Sequence, residues 1–557
     1  MAPAECYLFY LPSELKLDII DYLDQKRDLY NVSKTCRWLE DIALDRLYKV
    51  IDLELPADKS SAWSTGGYLK LRPHVVRVIE EITIRDGIMD HTQPQFYKRR
   101  RSDAGSPENY AGQVIQEIPE NQLKSFSFMQ RSPVSVRLLQ LLNDKHGQSL
   151  RNLSCYEMRT APLPPSALPS CLGSLECRSV DDGETLGKLV YASKDTLQSL
   201  RLGEERALVE HYRRLRVGFY DGIPQPLSAF QAVIGLSQIQ NLRHLCFTGL
   251  DVSPLAPREI EDALFFTNLE ELVLESCLGS ETLLSAIASI FTFAQPEAAP
   301  DPKPTPRLEK FLFRHEASNT TLKEAVVRFL NSFSGLRVLS LLFDNWSMSE
   351  RLAGLITNHG QTLEELVLEL RVQPRESLSL DTSRPFGMGG YSQQLWEENM
   401  DDVCRLCPNI KELGIGFPWN DEMIRLRRSS LPNLQLKTMH IRNFPESHNL
   451  AQMGDYTIKE HALKFLDWTY GHIAGSIRPQ LETLSIGPAI YESRFKGSNP
   501  NRLRTPEFLR THHFMIDWAQ TRFGRWSAMV TGVSERYMEE IRNEKPLGGV
   551  FQQVWLR

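Results

Sequence analysis

The chain has 557 residues, 41% of them hydrophobic and 24% charged, with a formal net charge of -6. That length exceeds one ordinary core, the composition is that of a soluble globular protein, and the charge gives no global reason to expect nucleic-acid binding. A membrane span is excluded, because no run approaches the roughly 18 unbroken apolar residues that a spanning helix needs. The opening MAPAECYLFYLPSELK lacks a basic segment followed by an apolar run, so no secretory signal is expected. The nine cysteines are odd in number and scattered, which suits reduced thiols in the cytoplasm or the nucleus.

The first predicted element is a helix in LPSELKLDIIDYL, where Leu15, Ile19, Tyr22 and Leu23 fall on one face and Pro12 and Ser13 sit where a helix can begin. Leu17 and Ile20 are apolar too, and lie off that face. A second helix is predicted through DLYNVSKTC. A third runs through CRWLEDIALDRLY, with Leu39, Ile42, Leu47 and Tyr48 on one side. A unit of roughly 45 residues buries its apolar surface poorly. The surplus around Leu11, Pro12, Leu17 and Ile20 therefore needs a cover, from the following domain or from another protein.

The run from Leu11 to Leu53 resembles an F-box. It has the Leu11-Pro12 opening, Glu14-Leu15, Ile19, Leu23, a second apolar group at Leu29 and Val32, then Cys36-Arg37 and a closing Leu47-Tyr48. It departs from the family at Leu39, where an aromatic residue is common; here Trp38 precedes it. The resemblance implies docking on a Skp-type adaptor, and through it a cullin. The residues it assigns to that contact are Leu11, Pro12, Leu15, Leu17, Ile19, Ile20, Leu23, Cys36 and Arg37. The competing expectation is a helical cap that merely seals the end of a solenoid.

Beyond this segment the pattern apolar-x-x-apolar-x-apolar recurs. It appears as IEEITI from Ile79, LKSFSF from Leu123, LRNLSC from Leu150, LGSLEC from Leu172, LQSLRL from Leu197, LRHLCF from Leu242 and LEELVL from Leu269. It continues as LEKFLF from Leu308, LRVLSL from Leu336, LEELVL from Leu363, IKELGI from Ile410, LKTMHI from Leu436 and LETLSI from Leu481. Steps such as 27 residues from Leu123 to Leu150 and 28 from Leu308 to Leu336 lie in or near the leucine-rich-repeat range. The last two apolar positions should point inward from a short strand, with amphipathic segments such as AVVRFLNSF and MDDVCRLC stacking between strands.

The expected fold is therefore α/β. A short all-helical module covers residues 1–55. An irregular leucine-rich-repeat solenoid covers 56–490, with parallel strands on the concave face and helices on the convex face. A carboxy-terminal cap or tail covers 491–557. Inserted loops are expected at about 85–120, 294–307 and 371–400. The first holds a polar, charged stretch from Tyr97 to Gln113; the second is a tract with five prolines; the third holds the glycine-rich SRPFGMGGYSQQ.

No catalytic motif emerges, so the chain is read as a non-enzyme without cofactor or metal. Cys404 and Cys407 form a lone CxxC, too few ligands for a tetrahedral site, and His512-His513 stand as a pair in a tail read as helical. The GMGG run does not open a helix after a strand, as a phosphate cradle must. Lys98–Arg101 and Ser106-Pro107 offer an import signal and a phosphorylation motif of low specificity. Recognition is expected on outward strand positions: an apolar stripe through Cys246, Val273, Leu312, Ser340 and Val367, with Val338 and Leu342; the competing expectation is burial of that stripe beneath an inserted loop, with no partner. Charges flank it at Glu271, Glu275, Glu365, Glu369, Lys310 and Arg314. Val273, Leu312, Val338, Leu342 and Val367 are the target-binding candidates.

F-box proteins of this kind are substrate receptors of cullin–RING ubiquitin ligases, so the resemblance implies an adaptor that holds an unknown protein target. The alternative is a non-degradative repeat scaffold that binds partners without a cullin. Neither reading involves nucleic acid or membrane.

Overall fold

The structure is a computed structural model that describes residues 11–23, 26–35, 37–55, 73–86, 107–130, 133–158, 164–180, 183–203, 226–233, 239–257, 264–293, 306–315, 320–343, 353–370, 393–417, 435–442, 455–471, 478–487, 511–534 and 537–538. The chain divides into two compact units: Met1–Leu200 with Ala232–Ile234, and Arg201–Gln231 with Gly235–Arg557.

In the first unit three helices, α1 (Ser13–Asp21), α2 (Lys26–Ser33) and α3 (Arg37–Lys49), lead into β1 (Val50–Leu55). The helical module thus ends before residue 50, because VIDLEL alternates with period two and pairs in parallel with β2 (Glu81–Asp86). Then β3 (Ser125–Met129), β4 (Asn152–Met158) and β5 (Ser174–Val180) each join the strand before them, all parallel. The connections carry α4 (Pro73–Val76), α5 (Pro107–Glu117) and α6 (Val136–His146); α7 (Gly183–Ala192) follows β5, and the unit ends within β6 (Ser199–Gly203).

The second unit repeats the plan. Strands β7 (His244–Thr248), β8 (Glu271–Glu275), β9 (Lys310–His315), β10 (Val338–Phe343), β11 (Glu365–Leu370), β12 (Glu412–Ile415), β13 (Thr438–Ile441) and β14 (Thr483–Ile486) pair in parallel in chain order. Between them run α8 (Ser280–Phe293), α9 (Thr320–Asn331), α10 (Ala353–Ile356), α11 (Gln393–Leu406) and α12 (Asp455–Tyr470). A hairpin, β15 (His512–Gln520) and β16 (Trp526–Val533), then adds in antiparallel.

Every strand from β2 to β14 begins at the third residue of its sequence motif. The paired motifs align without a slip: Lys310, Val338, Glu365, Glu412 and Thr438 are successive partners. The first, fourth and sixth motif residues are buried, as Leu123, Phe126 and Phe128 in β3 and Leu363, Leu366 and Leu368 in β11. A one-residue slip would turn that whole set to water, which is why the register holds.

Hydrogen bonds fix the spacing further. The second motif residue donates its N–H to the same residue of the preceding motif, as Arg151 to Lys124 (2.7 Å) and Lys411 to Glu364 (2.8 Å). A hydroxyl just ahead of the motif donates to the previous motif's leading leucine carbonyl: Ser149 to Leu123 (2.8 Å), Thr196 to Leu172 (2.8 Å) and Thr362 to Leu336 (2.6 Å).

Two motifs are preceded by His-Gly-Gln, at His146 and His359. His359 is fully buried; its Nε2 lies 2.8 Å from the Leu330 carbonyl oxygen, and its Nδ1 accepts from the Leu336 N–H at 3.3 Å. That N–H can only donate, so the ring is neutral with its proton on Nε2. A Cβ on Gly360 would collide with the Leu406 carbonyl oxygen, so glycine alone fits this close approach. Burial pulls the His359 pKa down to about 4, although the Leu330 bond opposes the shift. The folded state thus prefers the neutral ring. Its contribution is complete above the unfolded value of about 6.5 and is lost as pH falls through about 4. At pH 5 the wild type should lose about 2 kcal/mol relative to pH 7.5 that His359→Gln does not lose, read from urea midpoints.

Two expectations need correction. The polar stretch from Tyr97 to Gln113 is not all loop: α5 starts at Pro107 and buries Tyr110, Ala111, Val114 and Ile115, a helical spacing hidden among charges. The tail around His512 is strand, not helix. Phe514, Ile516 and Trp518 alternate and are buried, with Trp518 Nε1 donating to the Leu481 carbonyl oxygen at 2.8 Å. The run from Lys98 to Arg101, Ser106, the GMGG segment and residues 294–305 lie outside the described residues, as do residues 371–392 of the third expected loop.

Candidate functional site

Two surfaces concern recognition. On α1 the buried stripe is narrow: Ile20 is 2% exposed, flanked at helical spacing by half-buried Lys16 and Leu23. Leu29 of α2 and Ala43 of α3 are buried as well. The richer stripe of Leu15, Ile19 and Tyr22 faces water, as Leu17 does on another side. Exposures are 48% for Leu15, 45% for Leu17, 40% for Ile19 and 86% for Tyr22. The three-helix unit thus needs only one apolar stripe of α1, and the rest of the apolar surface is left over.

The other residues assigned to adaptor contact follow the same division. Leu11 is half-buried, while Pro12 and Arg37 are exposed. Ile20 is corrected from contact residue to core, and Cys36 lies outside the described residues. Tyr30 on α2 is also exposed, with the Lys34 ammonium 3.8 Å from its ring centroid.

The second surface is the sheet face turned away from the inward leucines. In the first unit its middle row, Thr83, Ser127 and Ser154, is small, polar and partly open. In the second unit the stripe expected to meet a target is buried. Cys246, Val273 and Leu312 form an apolar cluster, Leu342 is buried and Val338 half-buried, while Val367 packs beneath Met538 and Val533. Water leaves an apolar row of this kind as soon as chain can close over it. Val273, Leu312, Leu342 and Val367 are therefore interior side chains, not free surface, while Val338 keeps part of its surface open.

The flanking charges pair across strands. Glu271 meets Lys310 at 3.2 Å and His244 at 3.5 Å; burial opposes its ionisation, but hydrogen bonds from His244 and Lys310 outweigh it and hold the carboxyl at about 2. Glu275 and Arg314 form a buried pair at 2.8 Å. Glu365 behaves differently. Burial, then the neighbouring Glu412 carboxylate, push it up to about 8 against the opposing pull of Lys310, so it is protonated at neutral pH. The side chain of Glu369 is outside the described set.

The residues tested for metal chemistry pack into the fold. Cys404 is half-buried on α11 and Cys407, just past its end, is buried; burial pushes both thiols up to about 12. His512 and His513 are buried in β15, with His513 Nδ1 2.5 Å from Ser485 Oγ. Among the described residues no three His, Cys, Asp or Glu side chains are grouped to hold an ion. Likewise no described helix is long and apolar enough to cross a membrane.

A family model described as F-box-like matches residues 8–54, the span of α1 to α3 and most of β1. The chain therefore carries an F-box-like domain at its exposed helical surface. No curated protein matches the chain.

Proposed function

We propose that this chain is a substrate receptor of a Skp–cullin–F-box ubiquitin ligase. In this reading α1 docks on a Skp-type adaptor, and the strand–helix repeats, taken as leucine-rich repeats, hold a protein target for ubiquitination. The observation that carries it is the Leu15–Ile19–Tyr22 stripe standing in water inside the F-box-like residues 8–54. A contiguous apolar patch on so small a helical unit marks a partner site. The ligase chemistry would be proximity supplied by another protein, with no acid, base or nucleophile from this chain. The described cysteines are free thiols, in keeping with a cytoplasmic or nuclear setting.

The test is co-purification of the tagged chain from cells, probed for adaptor and cullin. Recovery of both is expected. Adaptor without cullin would favour a non-degradative scaffold, and neither would overturn the reading. Repeating the purification with Leu11→Ala and Pro12→Ala should lose the adaptor and retain undegraded targets.

A further inference from the structure

We propose that the sheet face from β11 to β15 is a groove for a short peptide segment with an apolar anchor, and that the turn after β16 fills it in cis through Met538. The floor is one row in register: Val367, Gly414, His440, Ser485 and His513, reaching Val533 on β16. This row faces away from the inward leucines, yet Val367, His440, Ser485 and His513 are all buried, unlike Thr83, Ser127 and Ser154 in the other unit. Gly414 has no side chain, so the row dips beside Val367. Met538 is 1% exposed and packs on Val367, with Val533 against them.

The turn presents that side chain compactly. The Met538 N–H donates to the Ser534 carbonyl oxygen at 3.1 Å and the Tyr537 N–H to Ser534 Oγ at 3.2 Å, while Tyr537 itself stays exposed. One knuckle thus puts Met538 in and Tyr537 out. On the floor His440 Nε2 lies 2.7 Å from the Gly487 carbonyl oxygen, and Ser485 meets His513. The seat of Met538 is lined by Val367 and Val533, so it takes an unbranched apolar anchor, and methionine suits such a seat because its thioether adapts to irregular shapes. A partner fits if it offers a short turn carrying Met or Leu and displaces the cis segment. This locates where the receptor proposed above would hold a target, yet its test uses no adaptor or cullin, so the two readings fail separately.

The probe is a fluorescein-labelled peptide of residues 531–541, titrated by polarisation against the full chain. The Met538→Gln chain should bind it at least about tenfold more tightly than wild type, whose tethered copy competes at high effective concentration. Adding Val367→Asn should abolish the gain, and a peptide bearing the Met538→Gln change should bind neither chain. Equal binding by the two folded chains, or binding indifferent to the anchor, overturns the proposal. Hydrogen exchange on the wild type decides independently of whether the variant folds. Residues 534–538 should exchange at least about tenfold faster than β11 and β14. Exchange only with global unfolding would show that Met538 is core, and would overturn the proposal.

Discussion

Replacing Leu15 and Ile19 together by Asp should abolish capture of a Skp-type adaptor while leaving the chain folded. Both side chains stand in water on α1, so in the free chain each Asp costs only helix propensity, about 0.5 kcal/mol. In a docked complex each loses the burial of a branched aliphatic side chain, about 1.5–3 kcal/mol, and leaves a desolvated carboxylate in its place. The sum corresponds to a loss of more than about a thousandfold in affinity. The control is Ile20→Asp, one residue along the same helix. Because Ile20 is buried, that carboxylate should disrupt the three-helix unit itself. Pull-down and far-UV circular dichroism on both variants separate the cases. Undiminished capture by the folded double variant would remove the basis for the adaptor surface.

Val273→Asp should cost several kcal/mol and lower the melting temperature of the second unit markedly, without touching adaptor capture. Val273 is fully buried between Cys246 and Leu312 on neighbouring strands. A carboxylate there meets these uncharged neighbours along the row, and must either stay charged in an apolar cluster or take up a proton. Either course destabilises the fold by about 3 kcal/mol or more. A variant melting with the wild type would show that the row opens to solvent and would restore it as a surface.

The strand plan was legible because its signal is periodic. A six-residue motif with three buried positions leaves one register that hides them all, and LEELVL at Leu363 states it without help from distant residues. The inward side of α1 was not legible, since hydrophobicity favours the Leu15 stripe, whereas the buried side carries Ile20. Nothing within nine residues distinguishes a stripe saved for a partner from one spent on the core. The cover over Val367 was hidden for a different reason: an inserted loop was the alternative cover, whereas Met538 lies far along the chain and outside any repeat. Strand β15 is legible in the alternation of Phe514, Ile516 and Trp518, although the six-residue motif is absent there.

Within each unit every strand borders the strands that precede and follow it in sequence. Such wiring makes assembly a matter of short chain closures, because among the described strands none waits for a distant partner before its backbone is satisfied. As the polypeptide leaves the ribosome, each new strand–helix segment meets an edge already made, and ordering can spread from it as growth on a template. Among the described strands the hairpin of β15 and β16 is the exception in direction, and it is made after the others. Its antiparallel run closes back on itself, so within each unit the described strands follow the order of synthesis.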